Sequence, residues 1–147
     1  MKQVVNEMKL RFPSKSCNEA FARGAVAAFI MHLDPTVNEL SDLKTAVSEA
    51  VTNCIVHGYR RQSGMIFLDG KIFADGSVVL KIRDKGCGIA DVVQAMQPLF
   101  TTAADEERAG LGFAVMQSFC DRVRVKSAPG KGTTVTLEKR LGTDDGA

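Results

Sequence analysis

The chain has 147 residues, a length that one domain fills. Hydrophobic residues make up 45% and charged residues 24%, a globular balance, and no window approaches the roughly 20 apolar residues of a membrane span. The formal net charge of +2 gives no sign of a broad nucleic-acid surface.

The N-terminal residues, with Lys2 and Glu7 among them, lack the apolar core of a signal peptide. Cys17, Cys54, Cys87 and Cys120 form no C-x-x-C pair, and neither histidine stands at metal-ligand spacing, so a structural zinc site is not expected. A reducing, cytoplasmic setting fits that cysteine usage.

Met8, Leu10 and Phe12 alternate with Lys9 and Arg11, which predicts a half-buried strand ended by Pro13. Ser16 and Glu19 have capping-box spacing, and Phe21, Ala22, Ala25, Val26, Phe29 and Leu33 follow at helical intervals. Thr36 and Glu39 repeat the capping pattern after Asp34 and Pro35. Leu40, Leu43, Val47, Ala50, Val51 and Cys54 then predict a helix to about Val56.

The stretch from Met65 to Arg83 is strand-rich, with Asp75 and Gly76 as the hairpin turn and Asp69 and Gly70 as a competitor. A short helix is expected over Asp91 to Met96, a loop over Leu99 to Ala109, and a helix from near Gly110 to Asp121. Strands over Val123 to Ser127 and Thr133 to Lys139 close the chain, and a tail from Leu141 is expected to be disordered. With no repeat and no second domain, residues 1–147 read as one α+β unit. It is a two-layer sandwich, a mixed or antiparallel sheet with helices on one face.

Glu49 and Asn53 differ by about 40° around a helix axis and lie on a flank of the apolar stripe. Asn53 offers a neutral oxygen suited to Mg²⁺, which takes few protein ligands beside substrate phosphates. Glu49 would accept a proton from a hydroxyl. Taken alone, such a pair is more often a solvated flank. Asp84, Gly86 and Gly88 follow a strand directly, where backbone approaches a ligand or simply turns. Gly110 and Gly112 are expected to open a helix whose free N–H groups favour phosphate. Thr133 follows Gly132 at a strand start. The Walker, protein-kinase, G-x-S-x-G and H-E-x-x-H patterns are all absent.

The ordered series E-x-x-x-N, D-x-G-x-G, G-x-G and G-T resembles the GHKL, or Bergerat-fold, ATP-binding superfamily over roughly Glu7 to Lys139. The runs S-E-A-V-T-N at Ser48, H-G-Y at His57, P-L-F-T-T at Pro98 and E-R before Gly110 are similar to the anti-sigma F family of endospore-forming bacteria. Stress-response anti-sigma kinases resemble the chain less well in the loop over Leu99 to Ala109.

The resemblance implies a homodimer that holds a sporulation sigma factor inactive. It implies also a serine kinase that uses Mg²⁺ and ATP, with ADP as product, to phosphorylate an anti-anti-sigma protein. On that footing Glu49 is the catalytic base, Asn53 the Mg²⁺ ligand and Asp84 the adenine-recognising acid. Gly86, Gly88, Gly110, Leu111, Gly112 and Thr133 surround the nucleotide, and Arg23, Glu107 and Arg108 contact partners. The alternatives are a sigma-binding module that uses nucleotide without kinase activity, and a detached histidine-kinase catalytic domain. The segment Arg60 to Ser63 is more basic than the resemblance leads one to expect.

Overall fold

The computed structural model describes residues 3–89 and 104–142, with side chains in the last helix described from residue 112 onward. The expected helix over Asp91 to Met96 and the run from Pro98 to Thr102 lie outside the described residues. Five strands, β1 (Val4–Pro13), β2 (Met65–Phe73), β3 (Ser77–Asp84), β4 (Arg122–Ala128) and β5 (Gly132–Arg140), form one sheet. Their spatial order is β1-β2-β3-β5-β4, and every neighbouring pair is antiparallel. Helices α1 (Cys17–Ile30), α2 (Val37–Asn53) and α3 (Ala104–Phe119) complete the two-layer sandwich.

Alternation decides the faces. Ile66, Leu68 and Ile72 of β2, Val78, Leu80 and Ile82 of β3, and Val135 and Leu137 of β5 are buried on one face. They form one core with Val26, Ile30, Leu43, Val47, Val51, Phe113 and Met116 of the helices. Each such side chain contributes about 1.5–3 kcal/mol by leaving water. The opposite face of the sheet stays open among the described residues. No helix among them is long and apolar enough to cross a membrane.

The β2–β3 turn falls at Asp75 and Gly76: Gly76 has φ +89°, and Ser77 N donates to Asp75 Oδ1 at 2.9 Å. The competing pair is inside β2, where a Cβ on Gly70 would stand 3.0 Å from Phe29 and 3.1 Å from Leu80. The Thr36–Glu39 capping box forms in both directions. The one expected at Ser16 does not. Ser16 is already helical (φ −54°, ψ −35°), and the carboxylate of Glu19 is taken by Arg23 at 2.8 Å. A serine in helical geometry cannot turn its hydroxyl back to the N–H three residues on.

Two further expectations are corrected. The loop to Ala109 is helical from Ala104, so Gly110 and Gly112 lie inside α3 rather than at its start. Ala, Glu and Arg from 104 to 109 are strong helix formers with acids in the first turn, and without an apolar period they carried no helix signal. Leu141, the first residue of the expected tail, is buried, and its N–H donates to Gly76 O at 2.9 Å. Residues 143–147 lie outside the described residues.

At the end of α2 the winding widens into a π-helical turn, Cys54–Gly58, closed by Tyr59 N donating to Cys54 O at 2.8 Å. Such turns recur at functional sites because they shift side chains out of helical register. The basic loop after it holds Arg60 and Arg61 at φ 51° and 64°, left-handed backbone that bulky residues rarely adopt.

Candidate nucleotide site

Asp84 ends β3 on the inward face and is only 3% exposed. Gly86 N donates to its Oδ1 at 2.9 Å, and the Cys54 thiol and the backbone N–H of Thr133 also donate to the carboxylate. Burial pushes the carboxyl above its ordinary range, and the three donors partly offset that push. A carboxylate has about four acceptor positions, so three donors leave one for an exocyclic amine. The same burial, together with the charge of Asp84, drives the Cys54 thiol well above its usual range, which keeps it a neutral donor.

The glycines after Asp84 serve close backbone approach. Cβ atoms on Gly86 and Gly88 would run into the carbonyls of Gly58 and Ala128 respectively. The loop is tied down by Cys87 N to Gly58 O at 2.9 Å and Gly130 N to Cys87 O at 2.6 Å. Thr133, 9% exposed, shares a hydroxyl bond of 2.8 Å with Ser127, which also accepts from Ile89 N at 2.7 Å.

Glu49 and Asn53 meet α3 at Gly112. A Cβ there would lie 3.2 Å from Glu49 Oε2 and 3.3 Å from both Nδ2 and Oδ1 of Asn53. The flank read from the α2 sequence is thus covered by α3, and Gly112 is the residue that lets the two side chains in. Glu49 is held above its ordinary range, first by burial and then by the charge of Glu19 on α1. Asn53 Nδ2 is buried without a hydrogen-bond partner. Rotating the amide by half a turn puts its oxygen there, a hard, unsatisfied ligand of the kind Mg²⁺ takes. Asn53 and Glu49 therefore fit an Mg²⁺–nucleotide. Among the described residues no three His, Cys, Asp or Glu side chains cluster, so such a cation would draw its other ligands from phosphate and water.

The structure thus brings together Glu49, Asn53 and Gly112 at one end, and Asp84, Gly86, Gly88 and Thr133 at the other. Cys54, next after Asn53 in the chain, links the two ends through its bond to Asp84. Inside α3, Gly110 and Gly112 do not offer the free N–H groups of a helix start. The side chains of Glu107, Arg108 and Leu111, and the surroundings of Gly110, lie outside what is described. Arg23 pairs with Glu19, the acid whose charge reaches Glu49. Sequence reasoning missed Gly58, Cys54 as a donor, and Ser127. The only signal for Gly58 was its place in the H-G-Y run.

Fold and site define an ATPase-type α+β domain. The family model of the histidine kinase-like ATPase domain matches residues 12–139. An anti-sigma F factor of Thermoanaerobacter sp. (strain X514) is 54% identical over 97% of this chain and 99% of its own. One from Caldanaerobacter subterraneus subsp. tengcongensis is 56% identical over 93% of this chain and 95% of its own. The chain belongs to the histidine kinase-like ATPase family and, within it, to the anti-sigma F factors. The crystal structure of the RsbU and RsbW domains of Rv1364c from Mycobacterium tuberculosis has the same fold. It superposes with a TM-score of 0.68 at 20% identity, over 93% of this chain and 33% of that one.

Proposed function

We propose that this chain holds a sporulation sigma factor inactive and, as an Mg²⁺- and ATP-dependent serine kinase, phosphorylates an anti-anti-sigma protein that otherwise releases the sigma factor. The names of its relatives support the first half. The observation that carries the second is the convergence of Glu49 and Asn53 on Gly112, a general base beside a metal ligand. A protein that used nucleotide only to set its shape would need no base there.

In the proposed reaction Glu49 takes the proton from the partner's serine Oγ as that oxygen bonds the γ-phosphorus. The bond from phosphorus to the bridging oxygen breaks, and ADP leaves. Asn53 would hold Mg²⁺, which when bound neutralises phosphate charge. Asp84, with Thr133 N–H and the Cys54 thiol fixing it, would receive the adenine amine.

A groove of about 360 Å³ between Arg23 of α1 and the α2 face of Leu40, Ser41, Lys44, Thr45 and Ser48 lies on the same two helices. Its polar and basic lining suits a partner segment, with Arg23 at its side. Dimer formation is supported by the edge position of β1, with Val4 and Val5 exposed, and by exposed Phe21 and Met31.

The test is incubation of the purified protein with Mg-ATP, a sigma factor and an anti-anti-sigma protein, read by mass spectrometry. Phosphoserine on the anti-anti-sigma protein is expected. Firm sigma binding without phosphoserine would reduce the protein to a nucleotide-gated binder.

A further inference from the structure

The open face of the sheet carries its charge in rows set by strand register. The row nearest the Asp84 end reads Arg11, Phe67, Arg83, Thr134, Lys126 from β1 to β4. The next reads Lys9, Asp69, Lys81, Thr136, Arg124, and the third Glu7, Lys71, Val79, Glu138, Arg122. Three cations and no acid stand in the first row, three and one in the second, two and two in the third. All the cations in these rows are exposed. A chain whose net charge is only +2 thus concentrates positive charge in two adjacent rows.

Those rows make a stripe about 19 Å long, from four strand spacings of about 4.8 Å, and the rows lie about 7 Å apart. The footprint is that of one helix or one extended segment laid across the strands. Phe67 helps hold the stripe in place. Arg83 Cζ lies 4.6 Å from its ring centroid, Arg11 Cζ 5.0 Å and Lys85 Nζ 5.2 Å. Cations gathered on one ring are held close together, which pre-organises them for anionic groups.

We propose that this stripe docks an acidic protein segment, a helix or extended chain presenting several Asp or Glu side chains. Two observations favour a protein over a nucleic acid. The Phe67 ring already has three cationic groups around it, so it is not a bare platform on which a base would stack. Asp69 in the middle of the second row interrupts a phosphate track, whereas a protein segment can meet it with a positive or hydrogen-bonding group. The surface is separate from the kinase site, and the inference does not rest on the kinase reading.

The experiment measures binding of a fluorescein-labelled deca-glutamate peptide to the full chain at physiological salt, with a labelled single-stranded oligonucleotide of ten thymidines in parallel. Arg83→Glu with Lys126→Glu changes the stripe. Lys71→Glu with Arg122→Glu makes the same net charge change in the third row. Peptide affinity is expected to fall at least tenfold in the first pair and less than threefold in the second, with circular dichroism unchanged in both. Equal loss in the two pairs would mean only overall charge is read, and the proposal fails. It fails also if the oligonucleotide binds more tightly than the peptide, or if neither binds.

Discussion

The Cα of Gly58 rests against the carboxyl group of Asp84, so closely that a Cβ would stand 2.6 Å from Oδ2 and 2.7 Å from Cγ. Gly58 is not among the positive-φ residues, so alanine fits its backbone, and the nearest conflict is with the carboxyl group of Asp84. Gly58→Ala should displace the acid that faces the base. Nucleotide affinity is expected to fall at least tenfold, about 1.4 kcal/mol, in a fluorescent-ATP titration. The crowding should cost about 1–3 kcal/mol in urea unfolding. Gly24→Ala is the control: nothing lies within 4 Å of its Cβ position, and the exposed helical site should gain about 0.5–1 kcal/mol. Unchanged ATP affinity in Gly58→Ala would remove Asp84 from base recognition.

Glu49→Gln keeps the shape of the side chain and loses the base. Phosphotransfer should drop about 10²- to 10⁴-fold with ATP binding within a factor of three. A base acts only when ionised, so the wild-type rate should rise with pH through a midpoint above 4.5, the ordinary value for this group. The charge of Glu19 contributes to that rise, and Glu19→Gln should move the midpoint down. An unmoved midpoint would mean another group titrates.

Asn53→Ala removes the unsatisfied amide beside Gly112. ATP affinity measured with Mg²⁺ should weaken about tenfold, while affinity in excess chelator stays close to wild type. Equal affinities for both proteins in Mg²⁺ would defeat the metal assignment.

The sheet and two helices were legible because their signals are local and periodic. Leu80 and Ile82 alternate with Lys81 and Arg83, and Thr36 and Glu39 close their box in the structure as in the sequence. What was not legible involved a competing local partner, a helix without an apolar stripe, or a contact distant in sequence. Ser16 has the same spacing to Glu19, but Glu19 is taken by Arg23 and the serine is drawn into the helix. The first turns of α3 carry helix formers without an apolar stripe, so composition alone had to speak for them. Motif spacing gave Glu49, Asn53 and Asp84, yet not that Gly112 and Gly58 are the gaps into which those side chains fit.

The two capping patterns make a paired stability test. Thr36→Ala loses the bond to Glu39 N, 3.0 Å long, and leaves Glu39 without half of its box. It should cost about 1 kcal/mol in denaturant unfolding. Ser16→Ala loses no cap bond and should stay within about 0.5 kcal/mol of wild type. Equal costs would show that Ser16 caps α1 in solution.

Asp84 makes stability depend on pH with a definite sign. Burial holds its carboxyl above 3.8, so the folded protein binds this proton more tightly than the unfolded chain does. The resulting stability is full below the unfolded value and is lost as pH rises through the folded one. Asp84→Asn has no such proton to lose, and asparagine can still accept from Gly86 N. The melting temperature of the variant, relative to wild type, should therefore rise between about pH 4 and pH 7, while its ATP binding is lost. The third donor decides how large the difference becomes: Cys54→Ala removes a bond that stabilises the ionised carboxylate, and should enlarge the pH-dependent loss in the wild-type Asp84 background. A variant-minus-wild-type difference that stays flat across this range would mean that the carboxyl titrates alike in the folded and unfolded states, and that its three donors fully offset its burial.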